Sequence, residues 1–469
     1  MHLTEGFLKD VLPEAVVLHG TLDCKVTFSV DSRSIIKNEL FVPIQGEKAD
    51  GHAFLANALQ KGAGALIARD KRFLLDALPK DLWLNRLIII VNNPLEALFA
   101  LASAWRSNFL GTVIGITGSI GKTSTKYMLG AMFAQSGKHC FVSHGNQNTL
   151  IGIALNMVRL TDQHTIAIFE MGINKTSEMN KLAQLLKPDS ALITGVGHSH
   201  LQGLGTLARV ASEKRAIFSY FNESSIGIIN GDQPSLSSVG YTHPVIRFGT
   251  KTTNQIQARR IVMKNNKLEF VLKIYQEKYN VTLNVQHRGM IINALAAAAV
   301  AHHFGVDGAT IVTALQELPE RSQRFERCAL KGYRGMLIDD CYNASPESMR
   351  AALLALEEFE TTGKKIAVLG DMLELGENSA FWHRQVGRFL RKVSSLSHLI
   401  LVGSEVQWME KVIPVGIEVE KVSSWQEAVE RLKYTLENDA VVLVKGSRGM
   451  QLHNVVAAFT DKKSSIPSI

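Results

Sequence analysis

Short apolar runs alternate with amphipathic stretches along the whole chain. The runs are rich in Val, Ile and Leu, as buried strands are, and the stretches between them repeat apolar residues at helical spacing. This alternation is typical of an α/β fold built on mostly parallel sheets. The runs that we interpret as strands span residues 26–30, 40–44, 65–68, 87–91, 113–116, 165–169, 191–196, 226–229, 336–338, 365–369, 399–402 and 441–444.

A chain of 469 residues is too long for a single hydrophobic core, and its pattern restarts twice. We therefore predict three α/β domains. Residues 1–108 form a small domain, and residues 109–318 form a central domain of the P-loop type on a mostly parallel sheet. Residues 319–469 form a Rossmann-like domain with right-handed crossovers.

The strand at residues 113–116 leads into a glycine loop and then a helix, in the sequence TGSIGKTSTK. Gly118 and Gly121 allow backbone NH groups to turn toward a phosphate, and the helix N-terminus adds its dipole. Lys122 would meet the terminal phosphates and Thr123 would ligate Mg²⁺. Ile116 stands where the common pattern has a glycine, so the loop is a variant. A structural turn is the alternative, and the strand–loop–helix context favours the phosphate site.

Polar residues follow several other predicted strands, where ligands bind in open parallel sheets. Glu170 ends one strand and is the expected carboxylate partner of Thr123 at Mg²⁺. His198 and His200 resemble a zinc pair, but no third ligand with fitting spacing is evident. Near the N-terminus, Ser32 and Arg33 suit a diphosphate or a sugar, with ordinary turn chemistry as the alternative.

Charge, cysteine spacing and hydropathy bear on nucleic-acid binding, metal sites and membrane spans. The net charge of +8 could indicate nucleic acid, but the Lys and Arg residues are scattered, as on a solvated surface, and no basic stripe with interleaved aromatic residues is evident. The four cysteines form no CxxC pair, and no apolar run approaches the ~20 residues of a membrane helix. We expect a cytoplasmic protein without a membrane span.

Six motifs, taken together and in order, resemble the Mur ligase family: DSR with LFVPIQGEKADGH, TGSIGKTSTK, DDCYNASPESM, GDMLELGE with the later His383, and VKGSRG. The resemblance covers nearly the whole chain. It implies a three-domain ligase that uses ATP, two Mg²⁺ ions and an acyl phosphate. The implied reaction adds D-alanyl-D-alanine to UDP-N-acetylmuramoyl-tripeptide, with the first domain holding the UDP-sugar. A monomer is expected.

The resemblance also implies roles for individual residues. Lys122, His200 and Lys214 would be catalytic. ATP would contact Gly118, Ser119, Gly121, Lys122, Thr123, Asn293, Arg324, Asp340 and Asn343. The metal ligands would be Thr123, Glu170, His200 and a carbamylated Lys214. The other substrates would contact Ser32, Arg33, Asn146, Asn148, Asp371, Lys445, Ser447 and Arg448.

Several positions depart from the family pattern, namely Thr149, Gln202, Ala216, Gly289 and Ser345. Two alternatives follow from these departures. The protein is either a ligase with reduced turnover or a degenerate relative that binds nucleotide without catalysis. A folylpolyglutamate synthase-like ligase is a further alternative, but it would not explain the N-terminal motif. Lys214, between Glu213 and Arg215, could also be a solvated surface lysine.

Overall fold

The computed structural model describes residues 1–46, 49–199, 201–284, 287–318 and 324–462. The chain divides into two compact units. The first contains Met1–Gly115, His139–Met171 and Asn180–Asp189, and the second contains Ile116–Lys138, Gly172–Met179 and Ser190–Ile469. The predicted domain borders at residues 108 and 318 stay predictions.

The strands of the described chain are β1 (His2–Leu3), β2 (Val16–His19), β3 (Cys24–Lys25), β4 (Thr27–Ser29), β5 (Glu39–Phe41), β6 (Gly64–Ala68), β7 (Ile88–Val91), β8 (Thr112–Thr117), β9 (Cys140–Val142), β10 (Ile166–Glu170), β11 (Ser190–Ile193), β12 (Ile226–Asn230), β13 (Val245–Gly249), β14 (Ile256–Lys264), β15 (Lys267–Ile274), β16 (Glu277–Leu283), β17 (Glu326–Ala329), β18 (Gly335–Asp339), β19 (Lys365–Gly370), β20 (Leu396–Val402), β21 (Glu418–Val422) and β22 (Ala440–Lys445).

The α-helices are α1 (Glu5–Val11), α2 (Leu55–Gln60), α3 (Arg72–Asp76), α4 (Pro94–Asn108), α5 (Lys122–Gln135), α6 (Leu150–Met157), α7 (Glu178–Leu186), α8 (Leu201–Leu204), α9 (Leu207–Arg215), α10 (Pro234–Ser237), α11 (Gly289–His303), α12 (Gly308–Gln316), α13 (Pro346–Glu357), α14 (Ser379–Phe389), α15 (Gln407–Glu410), α16 (Trp425–Thr435) and α17 (His453–Phe459).

The first unit contains a five-stranded sheet in the order β2-β7-β6-β5-β4. Strands β4 to β7 are parallel, and β2 is antiparallel at the edge. Every residue of β6 and β7 is buried, as the apolar sequences GALIA and IIIV require of parallel strands covered on both faces. Phe41, Leu59, Ile67 and Ile88 belong to the core on one of these faces. In the same unit, β9 pairs in parallel with β10, which ends at Glu170.

The second unit contains the parallel strands β11 to β14, followed by the antiparallel strands β15 and β16. Helix α11 packs against α5, β12 and β13. Its buried alanine residues have little side-chain volume, so the helix can approach its neighbours closely. Through this packing α11 brings Asn293 to the glycine loop described below.

The C-terminal part of the second unit contains a six-stranded sheet in the order β17-β18-β22-β19-β20-β21. Only β17 is antiparallel. Alternate strand residues enter two separate apolar clusters, one completed by α13 and α14 and the other by α16 and α17. Both faces are therefore covered, and the carboxyl ends of the adjacent strands β18, β22 and β19 meet at one edge.

The α/β fold is confirmed, and each predicted strand overlaps an observed one. Two predicted strands extend three residues beyond the observed ones. The strand predicted over residues 40–44 ends at Phe41, because Pro43 has no NH for a sheet, and the strand predicted over 191–196 ends at Ile193. The strands β14 to β16, which form two antiparallel pairs, were not predicted, although β15 alternates exposed and buried residues at its start. Within the described ranges, none of the helices is long and apolar enough to cross a membrane.

Candidate active site

The glycine loop joins β8 to α5 and has the geometry that the sequence predicts. Gly121 has a φ of +86°, and a Cβ there would lie 2.1 Å from the side-chain oxygen of Asn293. At Gly118 a Cβ would lie 1.9 Å from the hydroxyl of Thr194. Both positions therefore exclude a side chain. Asn293, a predicted ATP-binding residue, lies directly against this loop.

Lys122 is the first residue of α5, where the helix dipole favours anions. Its ammonium donates a hydrogen bond of 2.8 Å to the carbonyl of Gly118, so it folds back over the loop. The next residue, Thr123, accepts a hydrogen bond of 3.0 Å from the guanidinium of Arg324. Three predicted ATP-binding residues thus meet at the start of one helix.

Ser119 is hydrogen-bonded to the backbone of the segment that follows β11. Its hydroxyl donates to the carbonyl of Gly197 at 3.1 Å and accepts from the NH of Gly197 at 2.8 Å. Its own NH donates to the carbonyl of Gly195 at 2.8 Å. Ser119 therefore fastens the glycine loop to the segment that follows β11, and its ATP-binding role stays a prediction.

Two further residues hold the segment after β11: Asn230, the last residue of β12, and Gln233, which follows β12. The amide of Gln233 bonds both the NH and the carbonyl of Val196, and Asn230 donates to the carbonyl of Thr194 at 3.3 Å. Sequence reasoning missed Gln233, because nothing local indicates that it lies beside the end of another strand. The polar sequence after β12 was the only available signal.

Lys214 is buried on α9, with only 2% of its surface exposed. Burial lowers the pKa of its ammonium well below the ordinary value, and repulsion from Lys122 lowers it further, while Glu213 opposes the shift. The alternative of a solvated surface lysine is therefore wrong. Burial and the nearby Lys122 cation thus both disfavour the charged form of Lys214 relative to the neutral amine.

Glu170 is the last residue of β10, in the first unit, and only 2% of its surface is exposed. Its carboxylate accepts a hydrogen bond of 2.9 Å from the amide of Asn148. Thr149, one of the departures from the family pattern, caps α6 by accepting from the NH of Gly152 at 3.3 Å. The unusual threonine thus has a structural use, and the Asn148 contact orients a carboxylate suited to Mg²⁺.

Of the two histidines in the GHSH sequence, the structure describes His198. His200 lies outside the described residues. His198 is engaged with Glu347, whose carboxylate contacts the ring Nδ1 at 2.5 Å and the backbone NH at 2.9 Å, and its ring lies 3.9 Å from that of Trp382. Among the residues that the structure describes, no group of three His, Cys, Asp or Glu side chains could hold a metal ion.

At the edge of the C-terminal sheet, Asp340 and Lys445 form a buried ion pair with a separation of 2.7 Å. The Lys445 ammonium also donates to the carbonyl of Asn343 at 3.0 Å. The other carboxylate oxygen of Asp340 accepts from the NH of Phe325 at 3.2 Å, which fixes the residue after Arg324. Asp340 therefore links Lys445 and Asn343 to the segment that reaches Thr123.

Arg324 is further oriented by an aromatic ring. Its guanidinium carbon lies 4.2 Å from the ring centroid of Tyr342. Nearby, the Nδ1 atom of His287 accepts from the NH of Gly289 at 2.9 Å, and burial lowers the pKa of this histidine. Gly289, which departs from the family pattern, thus forms a hydrogen bond to His287 at the first residue of α11.

Asp371 and Ser447 shape a loop at the same edge. The carboxylate of Asp371 accepts from the NH groups of Val406 and Ser404 at 2.8 and 3.1 Å, and Ser447 accepts from the NH of Leu373 at 2.9 Å. Arg448 begins a short 3-10 turn. Their predicted contacts with substrate stay predictions.

Ser32 and Arg33 lie in the first unit, after β4. The side chain of Arg33 is 84% exposed and pairs with Asp31 at 2.8 Å, and it lowers the pKa of that carboxyl. The ammonium of Lys61 donates to the carbonyls of Ser32 and Arg33 at 2.7 and 2.6 Å. Asn146 accepts at its carbonyl from the NH of Asn148 at 2.7 Å. These residues are ordered by local contacts, and their ligand roles stay predictions.

Three family models match successive parts of the chain. They describe a Mur ligase family catalytic domain over residues 27–106, a Mur ligase middle domain over residues 116–301, and a Mur ligase glutamate ligase domain over residues 323–448. The UDP-N-acetylmuramoyl-tripeptide–D-alanyl-D-alanine ligase of Bacillus subtilis is 31% identical over 458 residues, which cover 97% of this chain and 96% of the relative. The Escherichia coli enzyme of the same name is 33% identical and covers 94% of each chain.

Solved structures agree with the fold. A crystal structure of MurF from Acinetobacter baumannii superimposes with a TM-score of 0.83 at 24% identity, covering 98% of this chain and 100% of that one. MurF from Thermotoga maritima in complex with ADP gives a TM-score of 0.78 at 27% identity, with coverage of 92% and 97%.

Proposed function

The chain belongs to the Mur ligase family, and on that premise we propose that it is an ATP-dependent ligase that joins D-alanyl-D-alanine to UDP-N-acetylmuramoyl-tripeptide. This reaction supplies a precursor of peptidoglycan. The observation that carries the proposal is the identity of 31% over 97% of the chain with a relative of that name. The alternative of a folylpolyglutamate synthase-like ligase gains no support, because residues 27–106 also match a Mur ligase model.

The chemistry begins with a poor acyl donor, since a carboxylate would have to expel oxide. Transfer of the γ-phosphoryl group of ATP to the tripeptide carboxylate gives an acyl phosphate, which expels phosphate when the dipeptide amine attacks. Glycine-loop NH groups, the N-terminus of α5 and the ammonium of Lys122 would stabilise charge on the transferring group. Arg324, stacked on Tyr342 and bonded to Thr123, would hold further phosphate oxygens.

The side-chain oxygens of Thr123 and Glu170 suit a hard cation such as Mg²⁺. Thr123 offers a hydroxyl beside the phosphate loop, and Glu170 offers a carboxylate held by Asn148. We propose both residues as magnesium ligands, with His200 as a ligand of a second ion. Bound Mg²⁺ would neutralise charge on the phosphates and so bring two anionic substrates together.

A carbamate on Lys214 would complete the second ion's ligands. The neutral amine of a buried lysine reacts with CO₂ to form a new N–C bond and release one proton, which leaves a carboxylate-like group. The lowered pKa of Lys214 favours the reactive amine, and an unmodified ammonium would repel a metal ion. Burial of Lys214 on α9 would also limit access of water to the carbamate.

The three predicted domains would hold the UDP-sugar, ATP and the amine donor in chain order. The protein would act as a monomer in the cytoplasm, where ATP is available. Its partners would be small molecules, with no nucleic acid.

Release of ADP tests the proposal. Purified protein is assayed with ATP, Mg²⁺, D-alanyl-D-alanine and UDP-N-acetylmuramoyl-tripeptide, using diaminopimelate and lysine forms of the tripeptide separately. We expect ADP release only when all substrates are present. Release that instead requires a folate and glutamate would support the alternative ligase, and release in no mixture would support a non-catalytic relative.

A further inference from the structure

We propose that Gln233 is a positioning residue for the nucleotide phosphates, because it fixes the segment to which the phosphate loop is fastened. We call residues 194–197 the strand-end segment, since they follow β11 directly. The inference rests on the proposed use of ATP. It assigns a function to a residue that lies outside all the motifs quoted above.

Gln233 holds the strand-end segment from one side through its side-chain amide. The amide oxygen accepts from the NH of Val196 at 2.7 Å, and the amide nitrogen donates to the carbonyl of Val196 at 3.1 Å. Both polar backbone atoms of Val196 are thus paired, as they would be by a neighbouring strand. Gly195 leaves room for this approach, because a Cβ there would lie 3.3 Å from the Gln233 amide.

The phosphate loop is fastened to the same segment from the other side. Ser119 exchanges two hydrogen bonds with Gly197 through its hydroxyl and donates a third, from its NH, to Gly195. The hydroxyl of Thr194 donates to the carbonyl of Ile120 at 2.5 Å. The residues between Gly118 and Gly121 therefore take their position from the strand-end segment.

This arrangement makes nucleotide binding sensitive to Gln233, although the hydrogen bonds of its side chain go to Val196 and not to the loop. A phosphate is bound by NH groups held at defined positions, so freedom in the supporting segment weakens binding without removing any phosphate ligand. Gln233 is half-buried and precedes the short helix α10, so its truncation leaves no large cavity. We expect weaker nucleotide binding in a protein that is still folded.

The test measures binding of Mg²⁺-ADP by isothermal titration calorimetry, together with thermal unfolding. Gln233→Ala should raise the dissociation constant at least fivefold. Gln233→Glu should raise it at least as much, because a carboxylate oxygen would face the carbonyl of Val196. The matched control is Gln255→Ala, which removes a similar bond of 2.9 Å to the NH of Arg247 in β13 and should bind like the parent.

The outcomes separate this inference from the proposed function. A parent protein that does not bind Mg²⁺-ADP would contradict both. If the parent binds and Gln233→Ala or Gln233→Glu binds equally well, Gln233 is not a positioning residue. The inference is also wrong if Gln255→Ala weakens binding as much as Gln233→Ala at the same loss of thermal stability, since the effect would then be general destabilisation.

A double variant gives an independent readout. If Ser119 and Gln233 act through the same segment, Ser119→Ala combined with Gln233→Ala should weaken Mg²⁺-ADP binding by less than the product of the single effects. Independent multiplication of the two effects would show that they act separately and would overturn the proposal.

Discussion

The guanidinium of Arg324 donates a hydrogen bond of 3.0 Å to the hydroxyl of Thr123, a residue 201 positions earlier in the chain. Thr123 follows the glycine loop, whereas Arg324 leads into β17 and is followed by a residue anchored on Asp340. The contact therefore joins the phosphate loop to the buried ion pair between Asp340 and Lys445. Residues that the sequence places in different predicted domains thus share one site within the second unit.

We predict that Arg324→Ala raises the KM for ATP about tenfold, equivalent to about 1.4 kcal/mol. Arg324→Lys should recover little of this loss, because an ammonium cannot both stack on Tyr342 and donate in a planar fork. Steady-state kinetics at varied ATP would measure the effect. The control is Arg334→Ala, which removes an exposed pair with Asp439. Parental KM values in both Arg324 variants would remove Arg324 from the ATP site.

Lys122→Ala should lower kcat by about 10³-fold, because the variant lacks the cation that stabilises the transferring phosphoryl group. The lysine lies in a glycine loop and supports no apolar core, so the melting temperature should change by about 2 °C or less. Lys175→Ala, at an exposed position, is the control. Turnover within a few-fold of the parent would show that Lys122 has no catalytic role.

We expect Lys214→Ala to lose activity by about 10²-fold and to regain part of it when short carboxylates such as formate or acetate are added. These anions would fill the space of the proposed carbamate on a buried side chain. Independent evidence would come from ¹³C NMR of protein supplied with ¹³CO₂, where the parent should show a carbamate carbon that the variant lacks. Identical spectra would contradict the carbamate.

The burial of His383 should make the free energy of unfolding depend on pH. Its Nε2 accepts from the NH of Met372 at 3.1 Å, and burial lowers its pKa below the ordinary 6.5. As the pH falls below that value, the unfolded chain takes up the proton first, so this contribution to stability is full at higher pH and is lost on acidification. Urea unfolding at about pH 7 and about pH 5 should show a smaller decline for His383→Gln than for the parent. An equal decline would contradict this assignment.

Local pattern was sufficient for most of the parallel strands and for the glycine loop. Those features depend on neighbouring residues, such as the β-branched run TVIGIT before Gly118 and the helical spacing after Lys122. Two sets of hydrogen bonds could not be predicted, because they depend on which strand ends lie side by side. They join Ser119 to Gly197 and Gln233 to Val196. The burial of Lys214 could not be predicted either, because its charged sequence neighbours Glu213 and Arg215 suggest a position on the protein surface.

An acyl phosphate intermediate can be detected by following oxygen from the tripeptide carboxylate into phosphate. The tripeptide carboxylate is labelled with ¹⁸O and incubated with the protein, ATP, Mg²⁺ and D-alanyl-D-alanine, and the products are analysed by mass spectrometry. A ligase that works through an acyl phosphate predicts UDP-N-acetylmuramoyl-pentapeptide together with inorganic phosphate that carries one ¹⁸O atom from the carboxylate. Absence of the pentapeptide, or a pentapeptide formed with unlabelled phosphate, would contradict the account.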